Sequence, residues 1–119
     1  FDFLLRHVSN LCGFHGYHGN QMVINENVIT GKLSRPILDR KAKADYLLRY
    51  CTHLGIDISA TASIGDGAND HEMLSYSRMG VAFQGQSLLR DTIPFQLNYT
   101  DLLGLLYLQG YFAEEFVGN

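Results

Sequence analysis

The feature that most constrains this chain is the stretch Ala62-Ser63-Ile64-Gly65-Asp66-Gly67-Ala68-Asn69-Asp70, an apolar run that ends in an acidic turn punctuated by glycines. Thr61 to Ile64 has the β-branched, apolar character of a buried strand, and Asp70 to Tyr76 returns to helical spacing through Met73, Leu74 and Ser77. The order is strand, tight loop, helix, and in α/β folds the crevice outside the carboxyl end of a strand is where ligands bind. Gly65 and Gly67 give the loop conformational freedom, and Asp66, Asn69 and Asp70 place two carboxylates and an amide within about one helical turn. Like charges that close repel unless something positive sits between them. Oxygen-only ligands with room for water and phosphate are the surroundings Mg²⁺ prefers. The same residues also read as an ordinary Asp-Gly turn in which Asn69 or Asp70 merely caps the next helix. Two nucleotide motifs are excluded. Gly65-x-Gly67 runs on to Asp70 where a dinucleotide fingerprint needs a third small residue, and no Gly-Lys-Ser/Thr follows as a P-loop requires.

At 119 residues the chain is one domain at most, and large enough to bury a core. A hydrophobic fraction of 46% beside a charged fraction of 18% fits a soluble globular chain without low-complexity tracts. The net charge of −3 and a pI near 5.9 leave no electrostatic footprint for nucleic acid, so the few basic residues matter by position. Cys12 and Cys51 each fall in an apolar helical stripe and read as small core residues rather than a disulfide, which implies a reducing, cytoplasmic setting. The longest apolar stretch, Leu102 to Leu108, is far short of a membrane span, and no basic-then-apolar leader opens the sequence. The first residue is Phe1, and Asp2 onward already has the look of a first helical turn, so the chain is expected to begin mid-domain.

Phe3, Leu4, His7, Val8 and Leu11 repeat at helical spacing until Gly13, which predicts an amphipathic helix over Asp2 to Cys12. His15 and His18 stand three apart, but in a strand that spacing points them to opposite faces, and no third ligand has suitable spacing; they read as surface or loop residues. Met22 to Leu33 has two β-rich arms around Asn25-Glu26-Asn27 and predicts a hairpin, a flap on the main sheet. After Pro36-Ile37-Leu38, Asp39 is a good N-cap for a helix to about His53, whose buried stripe is Ala44, Leu47, Leu48 and Cys51.

The first turn of that helix carries Arg40, Lys41 and Lys43. Cations there oppose the helix macrodipole by about 0.3 to 1 kcal/mol each, so the cluster calls for a compensating anion: a bound phosphate, or a carboxylate such as Asp70. A solvated basic face is the plain reading of Arg40 and Lys41. Lys43 stands out because it lies one residue before the buried stripe begins at Ala44. Beyond Gly55-Ile56-Asp57 comes the central strand at Thr61 to Ile64. Gly80 to Phe83 follows as a compact buried strand, then Ser87 to Asp91 as a short helical turn and Phe95 to Asn98 as another strand. The alternation predicts an α/β fold with a mainly parallel sheet. Thr100 or Asp101 then caps a last helix with Leu102, Leu105, Leu106 and Gln109 on its packed face, ended by Gly110, and Tyr111 to Asn119 reads as a tail.

Gly65-Asp66-Gly67-Ala68-Asn69-Asp70, Met73-Leu74, Gly80-Val81-Ala82-Phe83 and Arg40-Lys41-Ala42-Lys43-Ala44-Asp45, taken together, resemble the phosphoserine phosphatases of the haloacid dehalogenase-like (HAD) superfamily. The resemblance extends over the hairpin ending Ile29-Thr30-Gly31-Lys32 and the stretch Asp101 to Tyr111, nearly the whole chain. It implies an incomplete HAD-like Rossmannoid core with the hairpin as a flap, and a Mg²⁺-dependent hydrolysis of phosphoserine in serine synthesis through an aspartyl-phosphate. It further implies that Asp66 is a Mg²⁺ ligand, that Asp70 helps hold the metal site and pairs with Lys43, that Lys43 balances the phosphoryl charge, and that Asn69 binds near the phosphate. Positive charge placed where the transferring phosphoryl gains negative charge is how such a site works.

The chain also departs from the family. The nucleophile there is the first aspartate of an Asp-x-Asp motif, a pattern this sequence does not contain, and a Ser-Gly-Gly precedes the aromatic residue that Phe1 matches. Two family strands between the one near Tyr17 and the one at Thr61 to Ile64 have no counterpart. The chain is therefore expected to be the C-terminal part of a single core domain, to fold poorly alone and not to turn over phosphoserine by itself. His71 after the second aspartate, and Gln86-Ser87 where the family more often has Lys-Pro, bear on substrate preference. A related phosphatase or phosphotransferase for another small phosphomonoester is the sister reading. A non-catalytic Mg²⁺- and anion-binding module is the alternative of a different class.

Overall fold

The computed structural model describes residues 2–19, 22–33 and 39–117. Phe1, Pro36, Ile37, Leu38, Gly118 and Asn119, which the sequence reading uses, lie outside the described residues. The chain divides into two compact units, residues 1–38 and 39–119.

The first unit holds helix α1 (Asp2–Cys12) and the strands β1 (Met22–Asn25) and β2 (Val28–Leu33). Gly13, at φ +68°, ends α1 in the left-handed conformation that frees the Phe14 N–H to reach the Ser9 carbonyl at 3.0 Å. The strands pair antiparallel, and the turn between them is two residues, Glu26 and Asn27, at φ 49° and 63°. Positive φ at both positions is the tight turn whose twist matches a hairpin. Burial differs from the sequence expectation. Phe3, Leu4 and Leu11 are 64%, 55% and 74% exposed, Cys12 is exposed too, and Ser9 is the buried residue of the helix. Periodicity specifies that a helix has an apolar face; it does not supply the surface that covers it. Residues 14–19 form no strand, so the family strand near Tyr17 has no counterpart there, and His15 and His18 are exposed.

The second unit is built on three parallel strands in the order β3 (Ala62–Gly65), β4 (Met79–Phe83), β5 (Phe95–Leu97). Ala62 lies opposite Met79 and Gly65 opposite Ala82, while Val81 lies opposite Phe95. Helix α2 (Arg40–Leu54) precedes β3, α3 (His71–Tyr76) links β3 to β4, and α4 (Ser87–Thr92) links β4 to β5. The fold is thus α/β with a parallel sheet flanked by helices. The core is Leu74, Ala82, Leu89 and Ile93, with Met73 packed against it. Gly80 sits so close to α3 that a Cβ there would fall 2.0 Å from the Leu74 carbonyl oxygen, which explains the glycine at the second position of β4.

The central strand is β4, with Gly80, Val81 and Ala82 buried, and not β3. β3 has one strand partner among the described residues, so Ala62 is exposed and the rest of the strand half-buried, where the sequence reading expected a buried centre. Asp39 caps α2, its Oδ1 accepting from the Ala42 N–H at 3.0 Å, and Gly55 at φ 65° ends it. On α2 only Ala44 of the expected stripe is buried, Leu47 and Cys51 are half-buried, and Leu48 is exposed. The last helix, α5 (Gly104–Leu108), begins after a turn in which the Asp101 carboxylate accepts from the Leu103 N–H at 2.9 Å. Leu102 and Gln109 are exposed. The segment after Gly110 is not a loose tail: Phe116 is buried and meets Tyr107 edge to face with ring centroids 5.1 Å apart. An aromatic pair of this kind adds about 0.5 to 1.5 kcal/mol to the area it buries.

Candidate functional site at the carboxyl end of the first parallel strand

β3 ends at Gly65, and the chain then turns through Asp66 and Gly67 into a single 3-10 turn, Ala68–Asp70, before α3. The side chain that organises the turn is Asp70, which is 4% exposed. Its Oδ2 accepts from the backbone N–H groups of both Asp66 and Gly67, each at 3.1 Å. Its Oδ1 accepts from the Lys43 ammonium at 2.5 Å. A buried carboxylate is costly unless it is paired and hydrogen-bonded, and Asp70 meets both conditions with donors from two elements. Gly65 is required by the approach: a Cβ on it would lie 2.5 Å from the Asp70 side chain. A Cβ on Gly67 would lie 2.7 Å from Oδ1 of Asn69.

The first turn of α2 finds its compensating anions here. Lys43 pairs with Asp70, while Arg40 stands 3.9 Å from Glu72 on α3 and Lys41 is exposed. The Lys43 side chain remains 42% exposed. Its ammonium has three donors and spends one on Asp70, so it can still donate to a ligand oxygen. Asp66 and Asn69 are exposed on the same turn. The four residues singled out in the sequence therefore fall into two pairs. Lys43 and Asp70 are locked together beneath the loop; Asp66 and Asn69 stand on its solvent side.

Two contacts are not foreseen from the sequence, one by Glu72 and one by Gln86, which the sequence marks only as a departure from the family pattern. Glu72 partners Arg40, and the available signal is its place in the first turn of α3. Gln86, beyond β4, ties itself to the loop twice: its backbone N–H donates to the Asp66 carbonyl at 3.0 Å, and its Oε1 accepts from the Ala68 N–H at 3.4 Å. No spacing rule links positions eighteen apart, so sequence alone carries no signal for that contact.

Mg²⁺ is usually held by one or two carboxylates, with water and phosphate oxygens completing its shell. The donors here are of that kind. Asp66 offers an exposed carboxylate at the strand's carboxyl end, whereas both oxygens of Asp70 already hold N–H donors. No group of three or more His, Cys, Asp or Glu gathers as a metal cluster among the described residues. The residues fit a cation that takes few protein ligands, and they do not form a closed cage. No helix among the described residues is long and apolar enough to cross a membrane.

Residues 37–87 match the family of haloacid dehalogenase-like hydrolases. The chain is 38% identical over 96 residues to a phosphoserine phosphatase of Streptomyces coelicolor, a match that covers 81% of this chain and 23% of that protein. It is 34% identical over 91 residues to a phosphoserine phosphatase of Mycobacterium tuberculosis, covering 76% of this chain and 22% of the relative. A solved substrate-bound phosphoserine phosphatase complex superposes with a TM-score of 0.85 at 24% identity, over 91% of this chain and 51% of that one. The chain thus spans about a quarter or less of the length of these two curated relatives.

Proposed function

We propose that this chain belongs to the haloacid dehalogenase-like hydrolases, whose family model matches residues 37–87, and that it is the C-terminal part of the core domain of a Mg²⁺-dependent phosphomonoesterase. The substrate is O-phosphoserine, and the setting is cytoplasmic L-serine biosynthesis. The similarity to phosphoserine phosphatases of two bacteria supports the substrate. The observation that carries the chemistry is the clamp of Lys43 and Asp70 beneath the Asp66 turn.

Each residue has a separate task. Asp70 holds the turn through Oδ2, which accepts from the Asp66 and Gly67 amides, and anchors it to Lys43 through Oδ1, and so fixes where Asp66 points. Asp66 is the carboxylate that holds Mg²⁺, with Asp70 supporting the metal site through the turn. Mg²⁺ supplies charge neutralisation at the phosphoryl oxygens. Lys43 donates a second ammonium proton to the transferring phosphoryl group, whose charge spreads over its outer oxygens in the transition state. Asn69, on the same turn as Asp66, hydrogen-bonds near the phosphate. The positions of these groups are set before substrate arrives, which is how preorganised charge lowers a barrier. The aspartate nucleophile implied by the family is not part of an Asp-x-Asp in this sequence, so these residues alone do not turn over phosphoserine.

The test is phosphate release from O-phosphoserine by the full-length protein. We expect Mg²⁺-dependent hydrolysis that Asp66→Asn abolishes; undiminished release by that variant overturns the assignment. The second reading is a binding module that keeps the cation and anion site without catalysis. Hydrolysis by the full-length protein contradicts that second reading.

A further inference from the structure

Gln86 occupies the N-cap of α4, yet its side chain makes no capping bond to that helix. N-caps favour Ser, Thr, Asp or Asn, whose short side chains reach back to the N2 or N3 amide, and glutamine is not among the preferred residues. The amide oxygen of Gln86 is used elsewhere. It accepts from the Ala68 N–H, the first donor of the 3-10 turn that follows β3. The N-cap of that turn is Gly67, which has no side chain to satisfy the donor. The backbone N–H of Gln86 meanwhile donates to the Asp66 carbonyl at 3.0 Å. A single residue of the loop after β4, Gln86, therefore grips the acidic turn on both sides of Gly67.

We propose that Gln86 is a positioning residue that caps the Asp66 turn from the neighbouring strand and sets how Asp66 is presented to its cation. The proposal rests on the Mg²⁺ reading above only for its functional consequence. Asp70 holds the turn from beneath through Asp66 and Gly67, and Gln86 holds it from the side through Asp66 and Ala68. Without the Gln86 oxygen, the Ala68 N–H is left to water and the peptide between Gly67 and Ala68 can rotate. Asp66 then points over a wider range, and its contribution to a cation shell falls. The backbone bond to Asp66 survives any substitution at position 86, so the side-chain contact can be tested alone.

The experiment compares wild type, Gln86→Leu and Gln86→Glu in the full-length protein by amide hydrogen exchange and by Mg²⁺ titration of the Asp66, Gly67 and Ala68 amide signals. Leucine keeps the bulk and removes the acceptor; glutamate keeps an acceptor. We expect Gln86→Leu to speed Ala68 exchange about five-fold and to raise the Mg²⁺ midpoint by a similar factor, with Gln86→Glu restoring the exchange protection. Equal Ala68 exchange in wild type and Gln86→Leu overturns the proposal. So does a loss of melting temperature common to both variants with no change confined to the turn. If wild-type amides do not respond to Mg²⁺, the metal reading fails, while the Ala68 exchange comparison still decides the role of Gln86.

Discussion

The loops that follow β3 and β4 leave the same end of one parallel sheet, yet they are held in different ways. The β3 loop is fixed by a buried side chain: Asp70 gathers two backbone amides and an ammonium. The β4 loop is fixed through its main-chain groups, which bond to β5 and to a side chain of α4. Gln84 adopts φ 45°, its N–H donates to the Leu97 carbonyl at 2.7 Å, and the Arg90 guanidinium donates to the Gly85 carbonyl at 2.8 Å. A loop scaffolded by one internal carboxylate can leave its remaining polar side chains in solvent, and Asp66 and Asn69 are left there. A loop held through its main-chain groups leaves its own side chains free to reach a neighbour, and Gln86 extends from it to the first loop.

The largest expected effect strikes the frame the two loops share. Gly80→Ala places a methyl against the Leu74 backbone, which cannot move aside as a side chain could, and we expect about 3 kcal/mol of lost stability. A chemical denaturation series measures it, and an unchanged midpoint would mean that α3 and β4 do not pack so closely. Asp70→Ala comes next and separates the loops. It strips the β3 loop of its scaffold, at about 2 kcal/mol because Lys43 is partly solvated and can rehydrate, and leaves the β4 loop intact. Exchange at Asp66 and Gly67 should rise while exchange at Gln84 stays as it was; a rise at both would show that the loops are one unit.

Gln84→Gly has the opposite sign. It relieves the left-handed strain of a residue with a Cβ and should stabilise the β4 loop by about 0.5 to 1 kcal/mol, seen as a higher melting temperature. The smallest effect is a pH arm at the entry to β3. The Ser59 backbone N–H bond, reinforced by its side chain, holds the Asp57 carboxyl below its usual range. A lowered folded value means that its small contribution is present above the unfolded value of about 3.9 and is lost as pH falls through the folded value. An Asp57→Asn protein should lose that acid-side slope and match wild type in both loops.

Much of this was legible in sequence because the signals were local. The ends of α1, the Asp39 cap, the strand-loop-helix at Gly65 to Asp70 and the parallel alternation all follow from propensity, capping and periodicity. The Lys43 and Asp70 contact was legible in outline, since a basic first turn needs an anion and Asp70 was a candidate. What escaped depends on tertiary placement. The single strand partner of β3 among the described residues, the exposure of Leu48 and Cys12 and the return of Phe116 onto Tyr107 are set by what each face meets. The grip of Gln86 on Ala68 is a contact between two strand ends that only the sheet order creates.

The central claim is that Lys43 serves two anions at once, Asp70 beneath the loop and a phosphoryl group above it. The most direct measurement is the Mg²⁺-dependent rate of phosphate release from O-phosphoserine by the full-length Lys43→Met protein, with the fold checked by its circular dichroism. The account predicts a loss of at least about a hundred-fold in kcat with the fold retained. A folded Lys43→Met protein with kcat within about two-fold of wild type would contradict it and leave Lys43 as a structural partner of Asp70 alone.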